Sequence, residues 1–295
     1  MKLGQKIIIA VVAMAAGASM VMLRSGGSSA IPLSEVSHIH GIAVDPTDPS
    51  RLFLATHYGV FLTSPDGTAE RVSDNRNDYM GFTPHPADDG VLFASGHPSG
   101  GGNMGVIVSR DGGQTWEQLS PGARGPVDFH AMDVSAADPS VIYGLHGRAQ
   151  VSRDGGSTWE IAGAPPVDVF DLAASAVAPN LVYAATRGGV MVSRDAAATW
   201  APTGPEGQPA SMVHVGPKGT VYAFVVGTGL MKSPGAALSW SVVNMDFGQH
   251  VLLHMAIDRN DPDRMFAVAD DGQILASTDG GQSWGPLVAA TNATP

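Results

Sequence analysis

The chain has no cysteine. That excludes disulfides, thiolate metal ligands and lipid attachment through a thiol, so a fold outside the cytoplasm would have to hold by its core alone. It is also poor in positive charge: 16 Lys and Arg stand against 27 Asp and Glu, a formal net charge of −11. Too little is left for a basic face, which excludes a nucleic-acid partner. Aromatic residues make up only 6% of the chain, and five of them are Trp. Glycine and proline, by contrast, are plentiful at 37 and 21 residues, the punctuation of many turns.

The five Trp share one context. Residues 109–116, 152–159 and 277–284 read Ser-Arg-Asp-Gly-Gly-Gln-Thr-Trp, Ser-Arg-Asp-Gly-Gly-Ser-Thr-Trp and Ser-Thr-Asp-Gly-Gly-Gln-Ser-Trp. Residues 193–200 and 233–240 are worn copies, and 64–68 is a truncated first copy without a Trp. The opening serines lie 40 to 45 residues apart. Between them run short apolar strands bounded by Gly, Pro and Asp. A period of that size with four strands per repeat predicts an all-β fold, a six-bladed β-propeller of four-stranded antiparallel blades. The repeated Asp is expected to tie its own turn by accepting backbone N–H bonds, the Gly pair to supply positive φ, and the Trp to pack between sheets.

Two regions are expected. Residues 1–30 read as a signal peptide or N-terminal membrane anchor: Lys2 and Lys6, an uncharged run over 7–23, then Arg24 and a stretch of small residues. Membrane attachment through residues 7–23 is the alternative to cleavage. Either places the domain, residues 31–295, in the periplasm or outside the cell. A monomer is expected. The segment 33–37 is expected to lend an outer strand to the last blade and so close the ring.

Ten histidines are unevenly spread. In a hairpin the start of the first strand lies beside the end of the second. His40 and His57, Met80 and His97, and His130 and His146 occupy those places in three consecutive repeats. The later repeats carry Phe170 and Arg187, Ser211 and Gly227, and Leu253 and Asp270 there. His38 sits two residues from His40, on the same side of a strand. The expected metal site is therefore His38, His40, His57, Met80, His97, His130 and His146, on the face opposite the Asp-Gly-Gly turns. Asp128, Arg148 and Arg187 are candidate ligand-binding residues beside it. Imidazole with a thioether suits copper, and imidazole alone serves zinc equally. A partner protein docking on the same face is the other expectation. His214 and His254 read as packing or channel residues, and His85 falls on the Asp-Gly-Gly side.

The Ser-x-Asp-x-Gly-x-Thr-Trp pattern resembles the Asp-box, or BNR repeat, of sialidases, sortilin-type receptors and the photosystem II assembly factor family. Longer strings, such as His-Ile-His-Gly at 38–41 and Ser-Gly-His-Pro at 95–98, resemble exported bacterial propellers labelled glycosylhydrolase. The resemblance implies two alternatives to a binding protein: a sialidase-like glycoside hydrolase, or an assembly factor for a membrane complex. A sialidase would need an arginine triad and an Arg-Ile-Pro segment. No Arg-Ile-Pro string exists here, and Arg110, Arg153 and Arg194 lie in Asp-box turns. Glu35, Glu70, Glu117, Glu160 and Glu206 fall mainly in loops or fourth strands. Of the carboxylates near the histidine face, Asp128, Asp168 and Asp171, no two form an evident pair at the separation of about 5–5.5 Å that a retaining glycosidase needs. No catalytic residue is assigned.

Overall fold

A computed structural model describes residues 29–235 and 238–288. The leader or anchor expected at residues 1–30 lies almost wholly outside the described residues, and among the described ones no helix is long and apolar enough to cross a membrane. The rest is a ring of six antiparallel sheets. The first strand of each sheet lines the centre: Ile39–Val44, Asp78–Pro84, Ala131–Val134, Val169–Ala174, Ala210–Val215 and Leu252–Ile257. Each packs against the first strands on both sides, and the sixth returns to the first.

The Asp-box works as the sequence implies. In the second blade Ser109 Oγ donates to Asp111 Oδ1 at 2.8 Å and accepts from Gly113 N at 2.8 Å. Asp111 also accepts from Thr115 N at 2.9 Å and from Thr115 Oγ1 at 2.6 Å. The worn fourth copy makes the same bonds around Asp195. There Ala196 and Ala197 hold φ of 59° and 66° where the three clean copies have glycine, a left-handed conformation costly for alanine. The side-chain bonds of Ser193, Asp195 and Thr199 suffice to keep the turn.

The core explains the Trp. Six apolar clusters form, one in each seam between blades. Trp116, Trp159, Trp200, Trp240 and Trp284 each pack into the seam with the preceding blade. The sixth seam, between the last and first blades, receives no Trp because the first repeat is truncated. Its cluster is filled instead by Val36, with Ile31, Leu33 and Leu287 packed against it.

This corrects the expected closure. The N-terminal segment does not lend a strand to the last blade. Ile31–Pro32 pairs with Thr68–Arg71 as a fifth strand of the first blade, and Leu33–Glu35 is a 3₁₀ turn. The last blade completes its own sheet with Gly285–Pro286. The ring is closed by apolar side chains in the seam that lacks a Trp, which removes the need for a shared strand.

The centre is a channel of about 440 Å³. Polar side chains tie its strands across the seams. Asp133 accepts from Thr83 Oγ1 of the preceding blade and from Ala174 N of the next, both at 2.8 Å. Asp171 accepts from Val213 N at 3.0 Å, and Ser211 Oγ donates to Leu252 O at 2.6 Å. Burial pushes the Asp133 carboxyl up to about 6 and the Asp171 carboxyl up to about 7. Both act as clamps between blades.

Candidate metal centre

Four of the seven metal-ligand candidates, His40, His57, His97 and His130, enter two groups, which lie across the first two seams of the ring. In the first, His57 Nδ1 is 2.7 Å from Asp78 Oδ2, and His40 Nε2 faces Asp78 Oδ1 at 4.0 Å. The His38 and His40 rings stand 4.9 and 4.4 Å from the His57 ring. In the second, Asp128 Oδ2 lies 2.9 Å from His97 Nε2 and 2.7 Å from His130 Nε2. In each group three donor atoms lie within 4.8 Å of one another. His146 is not among the three, but its Nδ1 bonds the Asp128 carbonyl at 3.0 Å, steadying that residue.

Local backbone geometry builds these groups. The inner strand of the first blade carries a bulge at His40: Ile39 pairs with Thr56 and Gly41 with Ala55, leaving His40 unpaired between them. A bulge re-aims the side chain it frees. Fourth, fifth and sixth blades repeat it at Phe170, Ser211 and Leu253. His38 holds a φ of 55°, rare for a residue other than glycine and of a kind that concentrates at functional sites.

Met80 departs from expectation. Hairpin counting puts it opposite His97, but its partner across the strands is Ser95, and Asp78 stands opposite His97. Met80 is buried at that position. The two groups of three offer imidazole nitrogens and carboxylate oxygens. Asp78 is the residue the sequence left unnoticed. It aligns with Asp128 and Asp168, each two residues before the inner-strand position shared by Met80, His130 and Phe170. That alignment was the available signal.

Arg187 and Arg148 do not join the donors. Arg187 Nε binds Asp168 at 3.0 Å within its own blade, and Arg148 is exposed at the hairpin beside His146. A third group, His250 with Asp270 and Asp271, lies on the last blade, and both of its carboxylates are exposed.

The protonation of His97 decides what the second group can do. Its Nδ1 lies 2.8 Å from the Gly102 carbonyl, which can only accept, so Nδ1 carries a hydrogen. Its Nε2 then faces a carboxylate. That nitrogen either carries a proton of its own, as an ion pair with Asp128, or gives its lone pair to a cation shared with the carboxylate. The His97 pKa is raised, chiefly by the Gly102 hydrogen bond, with Asp128 and Asp78 adding to it. An Nδ1–H bound to a backbone carbonyl with Nε2 facing the ion is the arrangement of a metal-binding histidine. Asp128 is 8% exposed at its side chain, and its Oδ1 is buried without a partner. His40 Nε2 and Asp78 Oδ1 are buried without partners as well. Burial and the neighbouring His57 lower the His40 pKa to about 4, so its ring is neutral at physiological pH. A neutral imidazole is the form that binds metal. A buried polar atom left unpaired costs about 1–3 kcal/mol. These groups therefore fit a divalent ion.

Comparison with known proteins agrees with the repeat and the fold. The family model of the BNR/Asp-box repeat matches residues 107–118. No curated protein matches the chain in sequence. Among solved structures, a xyloglucanase of family GH74 from Xanthomonas campestris superposes with a TM-score of 0.58 at 19% identity, over 85% of this chain and 45% of its own. YCF48 bound to D1 peptide gives a TM-score of 0.56 at 16% identity, covering 90% and 86%. A gluconolactonase from Xanthomonas campestris gives 0.62 at 16%, covering 84% and 89%. The chain spans less than half the length of the xyloglucanase. At these identities the likeness is one of fold. The chain is thus a six-bladed β-propeller carrying BNR/Asp-box repeats.

Proposed function

We propose that this chain is an exported, non-catalytic β-propeller that binds a borderline divalent ion, zinc or copper(II), through His97, Asp128 and His130. The observation that carries the reading is the convergence of two imidazole nitrogens on one carboxylate oxygen, at 2.9 and 2.7 Å, with the other nitrogen of His97 already committed to a carbonyl. Two imidazoles and a carboxylate suit zinc and copper(II); with no thioether among the donors, copper(I) is disfavoured. A tetrahedral ion at about 2.0–2.1 Å needs donors about 3.3–3.4 Å apart, so the side chains must part by only about half an ångström. Export rests on residues 1–30 as read from the sequence.

A partner protein on the same face is a second reading, and one observation favours it. Tyr58, Val167, Phe170 and Met245 are exposed at this end of the ring, three of them on the blades without metal donors. The peptide-bound YCF48 structure is a propeller of similar extent. A glycoside hydrolase reading is less well supported, because Asp133 and Asp171 are engaged by backbone N–H groups of neighbouring blades.

Calorimetric titration of tag-free, metal-stripped protein tests the metal reading. Zinc or copper(II) should bind with micromolar or tighter affinity, and Asp128→Asn and His130→Ala should each weaken it at least tenfold. Binding unchanged in both variants, or absent from the wild type, would refute it.

A further inference from the structure

We infer that the face holds a pair of adjacent ions, the second one bound by His40, His57 and Asp78. This rests on the reading of the first site at His97, Asp128 and His130.

The second site has its own grounds. His40 Nε2 and Asp78 Oδ1 face each other at 4.0 Å, too far for a hydrogen bond. Both atoms are buried without a partner. The gap exceeds the donor separation of about 3.3–3.4 Å around a tetrahedral ion by only about 0.6 Å, so a small inward movement seats an ion between the two atoms. The His57 ring packs edge-on against the His40 ring at 4.4 Å, and its Nδ1 contacts the other oxygen of the same carboxylate. His57 thus supplies the third donor, all three lying within 4.8 Å of one another.

The two sites are adjacent by construction. Asp78 of one and His97 of the other are direct partners in the antiparallel ladder of the second blade. Residues so paired have Cα atoms about 4.5–5.5 Å apart. The second blade thus gives Asp78 to the seam on one side and His97 to the seam on the other. Two divalent ions against the two carboxylates Asp78 and Asp128 leave net positive charge, so the ions repel and bind in two unequal steps.

Equilibrium dialysis against zinc, followed by elemental analysis of tag-free protein, tests this. Wild type should hold two ions per chain. Asp78→Asn and Asp128→Asn should each hold one. If Asp78→Asn does not fold, His57→Ala, at a half-exposed position, takes its place with a weakening of the second step by at least tenfold. A wild-type value of one would overturn the pair and leave the first site standing. A value of two that persists in both Asp78→Asn and His57→Ala would overturn it as well. A value of zero would remove the metal reading itself. Loading with copper(II) gives an independent readout: dipolar broadening of the paramagnetic resonance at two equivalents and none at one.

Discussion

His97 reaches across the seam from the second blade to the third and places Nε2 2.9 Å from Asp128 Oδ2. One seam earlier, His57 of the first blade makes the same crossing to Asp78 of the second, at 2.7 Å. The repeat that builds the blades therefore also builds the site: a histidine ending a second strand meets an aspartate opening the next blade. The fourth blade breaks the series. Its Asp168 turns to Arg187 of its own sheet, and the donor array stops there.

Trp159→Ala should destabilise the fold by about 3 kcal/mol. The ring packs 5.0 Å from that of Phe129, and Nε1 donates to Gly156 O at 2.9 Å and to Ser120 Oγ at 3.0 Å. A half-buried Trp at a seam loses both packing and hydrogen bonds on truncation. Denaturant unfolding measures it, and a cost under about 0.5 kcal/mol, that of a surface change, would contradict the seam role.

Val36→Ser should cost about 2 kcal/mol, because Val36 stands in the seam that has no Trp and is 6% exposed. The same substitution at exposed Val167 should be close to neutral. Thermal melts of the two variants side by side check the claim that side-chain packing closes the ring.

Gly96→Ala should cost at least about 3 kcal/mol. Gly96 holds φ of +130°, and a Cβ there would stand 2.1 Å from the Asp78 carbonyl oxygen. Because the collision falls beside both Asp78 and His97, any folded fraction should also bind metal more weakly. Circular dichroism melts and calorimetry of the same sample separate the two effects.

Acid should destabilise the protein in two windows. Burial lowers the His214 pKa to about 4, so the folded state resists its protonation. The unfolded chain takes up that proton first, and stability is lost as pH falls from about 6.5 to about 4. Hydrogen bonds from the hydroxyls of Thr199 and Ser283 lower Asp195 and Asp279 to about 2. Their contribution is lost as pH falls from about 4 to about 2. Asp171 works in the opposite sense: its carboxyl is raised to about 7, so stability is lost as pH rises from about 4 to about 7. Nuclear magnetic resonance titration should find His214 neutral at pH 5 and the Asp171 carboxyl still partly protonated at pH 7. An ordinary midpoint for either group would contradict its burial.

The six blades were legible because a physical need recurs along the chain: a turn tied by Ser and, in five of six copies, Asp, and in five of six copies a Trp for the seam. The closure was not legible. It depends on which apolar residues enter a seam where the Trp is missing, and Leu33 and Val36 carry no repeat signature. In the site, His57, His97, His130 and His146 could be found from hairpin ends. Asp78 could not be found by counting along an ideal strand. The inner strand of the second blade shifts register between Met80 and Thr83, and its opening places Asp78, not Met80, opposite His97. Bulges are set by local backbone geometry, which hydrophobic pattern does not encode.

Anomalous diffraction from crystals soaked in zinc tests the central claim most directly. Data on either side of the zinc absorption edge should show a peak bounded by His97 Nε2, His130 Nε2 and an Asp128 oxygen, about 2.0–2.2 Å from each. Anomalous density confined to other parts of the surface, with His97 and His130 still hydrogen-bonded to Asp128, would contradict it.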